Sequence, residues 1–354
     1  MTQTLIQLAS LGWDAWFEAR RACEPGSVVA RVAAVDREHS LLIDATGTFP
    51  ARLAGRYLHR HHQAEDLPCV GDWVCVERPT DGIGVIHDVL PRRTLLRRWS
   101  AGDTGEVQPI AANVDVVLVV QSCHVDFNVN RLERYLVMAR EAGAEARVLL
   151  TKTDRVSPET LAAQLAEIRA AGVTAPVIAL SNVTREGVDA LQDTLRPART
   201  HCFVGSSGVG KSTLINALIG EARLDTGGVS GTGEGRHTTV RRELIVLPNG
   251  ALVIDNPGMR ELGVLGAGDA LGGGFADVLR LAADCRYRDC GHAGEPGCTV
   301  VAAVDSGALS RAHYENFLKL RDESAFHALT HAERRKKDRD FGRFIKSAKK
   351  DFDR

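Results

Sequence analysis

The sequence lacks a long apolar run, a leader segment and an excess of charge of one sign. No run approaches the roughly 20 apolar residues that cross a bilayer, and residues 1–20 have neither the basic start nor the apolar middle of a signal peptide. These absences argue against the membrane-spanning and secreted classes, so we expect a cytoplasmic protein with no membrane partner. The formal net charge of −1 does not suggest a nucleic-acid binder.

Charge is nevertheless distributed unevenly along the chain. Residues 331–354 contain 10 Lys and Arg against 5 Asp and Glu, and a basic tail of this kind can contact phosphate. A solvated helix end gives the same pattern, so the tail alone leaves both interpretations open.

Internal repeats are also absent, and 354 residues exceed one average domain. We expect two or three units that each bury a core, and nothing in the sequence requires an oligomer, so we expect a monomer. Changes of pattern place an N-terminal extension at 1–26, a β-rich unit at 27–100, an α/β unit at 107–268 and a mainly helical unit at 269–354.

The β-rich unit consists of short runs separated by turns that contain Gly, Asp or Pro, which predicts a small barrel or sandwich. An oligonucleotide-binding (OB) barrel fits this pattern, and an SH3-like barrel would look much the same. Basic residues cluster at 59–62, 92–93 and 97–98, where loops or barrel ends could meet a polyanion.

The α/β unit opens with an almost continuous apolar run at 114–120. Helix and strand patterns then alternate as far as 200–204, which predicts βαβ units and a parallel sheet covered on both faces. Two further strands flank the hairpin turn Asn249-Gly250.

A phosphate-binding loop is predicted between the last of the alternating strands and the next helix, where the spacing is G-x-x-x-x-G-K-S. In such a loop the backbone N–H groups close around the β-phosphate, Lys211 reaches the β- and γ-oxygens, and the Ser212 hydroxyl ligates magnesium. A chance glycine-rich turn would lack the flanking strand and helix. The GTP-contacting residues predicted here are Gly205, Ser206, Ser207, Gly208, Val209, Gly210, Lys211, Ser212 and Thr213.

A D-x-x-G motif at Asp255 to Gly258 follows another apolar strand pattern. In this position Asp255 can hold magnesium through water, and the Gly258 N–H can contact the γ-phosphate. The motif is weak alone, but downstream of a phosphate loop it strongly indicates a nucleoside-triphosphate site.

A guanine-recognition element is suggested by Thr151, Lys152 and Asp154, which resemble the N-K-x-D motif at a strand end. In that motif the aspartate accepts hydrogen bonds from N1 and N2 of guanine, and adenine offers no such donor pair. Asp154 therefore favours GTP over ATP, although Thr151 stands where asparagine is usual and a surface turn could give the same tetrapeptide. Ser181-Asn182 follows the next strand, where a backbone N–H usually meets guanine O6.

The order of these motifs is unusual, because the guanine elements precede the phosphate loop. All of these loops lie at the carboxyl edge of one sheet, so a circular permutation preserves the site while it moves the chain ends. After the D-x-x-G motif the chain leaves the sheet for a Cys- and His-containing segment.

That segment has the spacing C-x4-C-x-H-x5-C, which supplies four ligands for a closed tetrahedral zinc site of structural type. The predicted zinc ligands are Cys285, Cys290, His292 and Cys298. Zinc would stiffen a segment too small to hold its own core. The other cysteines are scattered along the chain and are interpreted as packing residues: Cys23, Cys69, Cys75, Cys123 and Cys202.

With these motifs in this order, the chain resembles the family of ribosome small-subunit-dependent GTPase A (RsgA, also called YjeQ), a group of circularly permuted GTPases. The resemblance covers nearly the whole chain. It implies an N-terminal OB-type β-barrel, a central α/β P-loop GTPase domain and a C-terminal, mainly helical zinc-binding domain. It also implies binding to the 16S rRNA of the small ribosomal subunit and a role in late 30S maturation.

The resemblance also suggests residues of the first switch, at Gly235 to Thr239. In the GTP state Thr239 or Thr238 would ligate magnesium there, and the sequence does not separate the two. Met259 occupies the place of the water-positioning glutamine of many GTPases, and a thioether cannot orient water by strong hydrogen bonding. His237 is the catalytic candidate that the resemblance offers, and a solvent-exposed loop histidine is the alternative.

The predicted function is therefore GTP hydrolysis to GDP and phosphate, stimulated by the small ribosomal subunit. Lys211, with magnesium held by Ser212, Thr239 and Asp255, would offset the negative charge that develops on the phosphates. A nucleotide-gated RNA-binding module with incidental hydrolysis is the second hypothesis. A P-loop ATPase or small-molecule kinase is disfavoured by Asp154. We further expect γ-phosphate contacts at Gly258 to bias the orientation of the zinc segment and so its affinity for RNA.

Overall fold

The computed structural model of the chain describes residues 8–36, 39–79, 82–99, 107–220, 242–256 and 274–328. Several predicted positions lie outside these ranges: the switch residues His237, Thr238 and Thr239, the D-x-x-G residue Gly258, Met259, and the basic tail. None of the helices within the described ranges has the length and apolar content that a bilayer crossing requires.

The N-terminal part is a five-stranded β-barrel whose order is β1-β2-β3-β5-β4, closed by pairing of β4 with β1. The pairs are antiparallel except β3 with β5, which is parallel. The β1–β4 pairing shows that the β-rich unit is a barrel and not a sandwich, as the resemblance implied. Its elements are α1 (Ala15–Glu18), β1 (Val28–Val35), β2 (Ser40–Asp44), β3 (Gly47–Leu53), α2 (Gly55–Arg60), β4 (Trp73–Glu77) and β5 (Gly84–Val89).

A two-stranded antiparallel hairpin connects the barrel to the rest of the chain. It consists of β6 (Leu95–Trp99) and β7 (Val107–Ala112). The residues after β7 lead directly into the α/β region, so the hairpin positions the barrel beside the central sheet.

The central region is an α/β unit in which β8, β9, β10, β11 and β13 are parallel and β12 is antiparallel, in the order β10-β9-β8-β11-β13-β12. Buried side chains form separate cores on the two faces of this sheet, as predicted. Its elements are β8 (Val116–Ser122), α3 (Val129–Glu141), β9 (Glu145–Thr151), α4 (Pro158–Ala170), β10 (Val177–Ala179), α5 (Val188–Gln192), β11 (Thr200–Val204), α6 (Lys211–Ile219), β12 (Glu243–Val246) and β13 (Leu252–Asp255).

Local sequence sets the starts of two of these helices. The Asn128 side chain accepts a hydrogen bond from the Arg131 N–H and caps α3, and the Ser157 side chain does the same for Thr160 at the start of α4. Pro158 follows as the first residue of α4, where no N–H is needed. These caps fix where the chain leaves each sheet edge.

Barrel and central sheet form one continuous eleven-stranded sheet, because β1 pairs antiparallel with β12. Arg31 on β1 is 1% exposed and reinforces this junction. Its guanidinium donates hydrogen bonds to the carbonyls of Leu11, Gly71 and Asn113 and to the Thr200 hydroxyl. Burial lowers the pKa of Arg31 to about 10, and the four acceptors belong to the N-terminal extension, the barrel and the central region.

The N-terminal extension packs on the barrel through an aromatic cluster of Trp13, Phe17 and Trp73. A disulfide joins Cys23 to Cys75 on β4. The interpretation of all five scattered cysteines as packing residues was therefore wrong for this pair, because docking of the extension brings two distant positions together. The other three are buried free thiols: Cys69, Cys123 and Cys202.

The basic clusters of the barrel differ in their availability. Arg92 pairs with the buried Asp72, Arg93 with Asp14 and Arg97 with Glu65, at 2.8, 2.6 and 2.6 Å. The buried partner commits Arg92 to the fold, whereas the ion pairs of Arg93 and Arg97 are solvent-exposed and leave both arginines accessible to a polyanion. The exposed basic residues of the other cluster are His59, Arg60 and His62.

The C-terminal part is helical and has its own apolar core. Val137 of α3 belongs to that core, together with Phe275 and Phe317. The C-terminal part therefore docks on the central region through α3. Its helices are α7 (Ala276–Ala282), α8 (Thr299–Asp305) and α9 (Arg311–Ala328).

Candidate functional site

The predicted nucleotide-binding segments meet at the carboxyl edge of the parallel sheet. β11 pairs with β13 so that Phe203 lies opposite Asp255, and β8 pairs with β9 so that Ser122 lies opposite Thr151. The loops that leave these strands therefore converge on one place, as expected for a ligand site in an open α/β sheet.

The phosphate loop has a backbone that only glycine accommodates well. Gly205, Gly208 and Gly210 have φ angles of 148°, 78° and 99°. A Cβ atom on Gly205 would lie 2.3 Å from the Val120 carbonyl oxygen of the neighbouring strand. Ser207 and Gly208 are exposed, and α6 begins at Lys211, so the loop forms an open cradle at a helix N-terminus.

Lys211 lies beneath this cradle and is 6% exposed. Its Nζ donates hydrogen bonds to the carbonyls of Gly205 and Ser206 at 2.8 and 2.7 Å. Burial lowers the pKa of Lys211 to about 8, although nearby Asp255 favours the charged form. A phosphate anion in the cradle would favour that charge further.

Asp255 is the residue whose surroundings best fit a divalent cation. It is 1% exposed, and neither carboxylate oxygen has a hydrogen-bond partner among the described residues. Burial raises its pKa, opposed by nearby Lys211 and Ser212. A buried carboxylate without a partner is costly, and oxygen ligands are those that magnesium prefers, so Asp255 and the Ser212 hydroxyl fit the predicted magnesium site.

The predicted guanine-recognition element rests directly on the phosphate loop. The Thr151 hydroxyl lies 2.6 Å from the Val209 carbonyl oxygen and 3.1 Å from that of Gln121. One hydroxyl donates one hydrogen, and the shorter contact identifies Val209 as its acceptor. Lys152 Nζ donates to the Gly208 carbonyl at 2.7 Å, so these two side chains tie the two loops together.

Asp154 is held in place by the neighbouring loop. The Ser181 hydroxyl donates to Asp154 Oδ1 at 2.5 Å and itself accepts the N–H groups of Val183 and Thr184. Asn182 Nδ2 donates to the Gly210 carbonyl at 3.2 Å. All three segments predicted from sequence to contact the base or the phosphates are therefore joined by hydrogen bonds.

One residue near this site was missed by the sequence analysis. The Tyr135 side chain of α3 lies close enough to Ser206 of the phosphate loop for Ser206 to lower the pKa of its phenol. Tyr135 is 1% exposed, and burial raises its pKa to about 12, opposed by the charge of Arg131 and by Ser206. It lies 71 residues before Ser206 in the sequence, with no local motif to mark the contact.

The four predicted zinc ligands form one compact cluster in the C-terminal part. Their ligand atoms all lie within 4.8 Å of one another. Cys285 Sγ lies 3.9 Å from Cys298 Sγ, and His292 Nδ1 lies 3.6 and 3.5 Å from these two sulfurs. Tetrahedral zinc with ordinary bond lengths requires about 3.8 Å between two sulfurs and about 3.6 Å between sulfur and nitrogen, so the donor set fits zinc.

We predict that Thr151→Val weakens GDP binding by about tenfold. The substitution leaves the buried Val209 carbonyl without its donor, which costs about 1–3 kcal/mol. Isothermal titration with GDP measures the change, and Thr153→Val in the same tetrapeptide is the matched control. Unchanged affinity in Thr151→Val would show that the hydroxyl is not needed to join the two loops.

Comparison with known proteins supports this site. The family model described as RsgA GTPase matches residues 89–265. A relative from Opitutus terrae named small ribosomal subunit biogenesis GTPase RsgA is 44% identical over 338 residues, covering 91% of this chain and 91% of the relative. A relative of the same name from Streptomyces coelicolor is 40% identical over 321 residues, covering 90% of this chain and 86% of the relative.

Solved structures resemble this one in fold. YjeQ from Thermotoga maritima superposes with a TM-score of 0.63 at 25% identity, covering 84% of this chain and 99% of that chain. YloQ, described as a circularly permuted GTPase, superposes with a TM-score of 0.60 at 22% identity, covering 88% of this chain and 100% of that one. The predicted permuted fold and the prediction of a GTPase are thereby confirmed, and the chain belongs to the RsgA GTPase family.

Proposed function

We propose that the protein hydrolyses GTP on the small ribosomal subunit and acts in a late step of that subunit's maturation, in contact with 16S rRNA. The observation that carries the nucleotide part is the contact of Thr151 and Lys152 with the phosphate loop, which joins a guanine-recognition element to a triphosphate cradle. The ribosomal part is supported by relatives named for small-subunit biogenesis.

In this proposal the phosphate loop binds the β- and γ-phosphates and Lys211 moves from its loop carbonyls to the phosphate oxygens. Ser212, Asp255 and Thr239 or Thr238 hold magnesium, which offsets negative charge on the phosphates when GTP is bound. The Gly258 N–H contacts the γ-phosphate. His237 orients the attacking water in place of a glutamine. The further contacts with GTP come from Gly205, Ser206, Ser207, Gly208, Val209, Gly210 and Thr213.

Base selection in this proposal is the task of Asp154. Its carboxylate accepts from N1 and N2 of guanine, while the hydroxyl of Ser181 keeps it oriented. The Ser181-Asn182 loop offers a backbone N–H to O6. Because adenine lacks both the N1 hydrogen and the N2 amino group, we expect ATP to bind much more weakly than GTP.

The Cys and His cluster is proposed to hold one structural zinc ion and to take no part in hydrolysis. We also propose the four-part division into 1–26, 27–100, 107–268 and 269–354, and a monomeric protein in the cytoplasm. Exposed basic residues of the barrel, together with the tail at 331–354, are the surfaces proposed to meet rRNA.

The direct test is GTP hydrolysis with and without purified small ribosomal subunits. We expect stimulation of about tenfold or more by small subunits, none by large subunits, and little inhibition by excess ATP. Lys211→Ala is the blank. Turnover that small subunits leave unchanged would refute the ribosomal assignment and favour an RNA-binding module with incidental hydrolysis.

A second test concerns zinc. Elemental analysis of the purified protein is expected to give one zinc ion per chain, and Cys290→Ser is expected to remove most of it because one of four ligands is lost. Cys123→Ala, a buried cysteine outside the cluster, is the control. Full zinc content in Cys290→Ser would contradict the proposed ligand set.

A further inference from the structure

Helix α3 is shared between the nucleotide site and the C-terminal part. Eight of its thirteen residues are buried, which is unusual for a helix that covers one face of a sheet. Leu132 and Leu136 pack in the core on one face of the central sheet, whereas Val137 packs in the C-terminal core. A displacement of the C-terminal part would therefore act directly on α3.

The C-terminal contact of α3 centres on Glu133, which is 0% exposed. One of its carboxylate oxygens bonds His313 Nδ1 and the other accepts from Asn316 Nδ2, both on α9. His313 Nε2 bonds Asp277 of α7 at 3.1 Å. Burial opposes the charge on His313, but the bonds to Asp277 and Glu133 raise its pKa to about 9.

A buried imidazolium between two carboxylates is a rigid connection. Separating its members would leave uncompensated charges in an apolar interior, which is strongly unfavourable. Two weaker contacts extend the same interface: Arg134 pairs with Glu323 at 2.8 Å, and Asn316 donates to the Asn130 carbonyl at 3.2 Å. The first half of α3 is thus fixed to α9.

Two residues after Glu133, the same helix turns Tyr135 toward the phosphate loop. Tyr135 lies close enough to Ser206 to share an interaction with it, and the carbonyl of Ser206 accepts from Lys211 Nζ at 2.7 Å. Asp126, in the loop before α3, lies near enough to Lys211 to favour its charged form. The position of α3 therefore bears on the residue that binds the phosphates.

The other side of α9 holds the metal cluster. Tyr314 donates its hydroxyl hydrogen to the His292 carbonyl, and Arg321 donates to the Gly291 carbonyl, both at 2.5 Å. These residues alternate along α9 with His313 and Asn316, which contact α3. Direct contacts therefore run from the Cys and His cluster through α9 and α3 to Ser206.

We propose that α3 couples docking of the zinc-binding C-terminal part to nucleotide affinity, with Glu133 as its anchor and Tyr135 as the positioning residue for the phosphate loop. The coupling is reciprocal by thermodynamic linkage: a partner that shifts the C-terminal part changes nucleotide affinity, and nucleotide binding changes the affinity for that partner. The inference rests on the proposed nucleotide site, but it does not depend on the ribosomal role.

A double-mutant cycle tests the coupling. The dissociation constant of a fluorescent GDP analogue is measured for the unsubstituted protein, Glu133→Gln, Tyr135→Phe and the double variant. We expect each single substitution to weaken binding of the GDP analogue by about fivefold or more. We expect the double variant to bind the analogue no more weakly than whichever single variant has the lower affinity. If each residue merely stabilised its own surroundings, the fold-changes in dissociation constant of the two single variants would instead multiply in the double variant.

Controls keep the result interpretable. Arg311→Gln removes an exposed ion pair with Asp305 elsewhere in the C-terminal part and is expected to leave GDP affinity unchanged. Zinc content and circular dichroism establish that each variant is folded. If Glu133→Gln fails to fold, Glu323→Gln loosens the same interface more gently and is expected to weaken binding by about twofold, an effect that Tyr135→Phe should again abolish.

The outcomes separate the inference from the proposed function. Multiplicative effects, or unchanged GDP affinity in folded Glu133→Gln or Glu323→Gln, would overturn the coupling while the nucleotide site stands. Absence of GDP binding by the unsubstituted protein would refute the proposed nucleotide site and, with it, this inference.

Discussion

Parallel pairing of β11 with β8 on one side and β13 on the other is the constraint on which the functional site depends. It places the end of each strand at one edge of the sheet, so the phosphate loop, the proposed guanine element and Asp255 converge whatever their order in the sequence. A circular permutation changes which loops are cut, but not which strand ends are neighbours. The site therefore survives a motif order in which the guanine elements precede the phosphate loop.

Because of the same permutation, the α/β region continues into another part of the chain at each of its ends, with the barrel before it and the helical C-terminal part after it. On one side the barrel is joined to the central sheet by the β1–β12 pair and by the buried guanidinium of Arg31. On the other side the C-terminal part docks on α3 through Glu133 and His313. In both places a buried cation with several acceptors makes the junction, which favours one relative arrangement because any other leaves buried polar groups unpaired.

Much of this could be predicted from the sequence because the information is local. The phosphate loop depends on glycines at fixed spacing, the clustered Cys and His residues lie within a span of 14 residues, and the seven buried residues of β8 appear as an apolar run. Strand β3 is harder to predict, because Pro50 lies at its centre and only Phe49 and Ala51 of its seven residues are buried. Each of these features could be predicted only as far as a short stretch of sequence encodes it.

Long-range contacts could not be predicted in this way. In the sequence Tyr135 resembles the other core residues of its helix, and only the fold brings it close to Ser206. Arg92 reads as part of a basic cluster until the fold supplies the buried Asp72. Cys23 and Cys75 are 52 residues apart, and nothing in their spacing predicts that they pair.

The central claim is that these loops form one guanine-specific nucleotide site in which Asp154 reads the base. It is tested most directly by the affinities of GDP and xanthosine diphosphate for the unsubstituted protein and for Asp154→Asn, with the exposed Asp193→Asn as control. Xanthine carries a carbonyl where guanine has its N2 amino group, so an asparagine amide can donate where the carboxylate accepted. The account predicts that Asp154→Asn loses GDP and gains xanthosine diphosphate. Undiminished GDP binding by Asp154→Asn would contradict it.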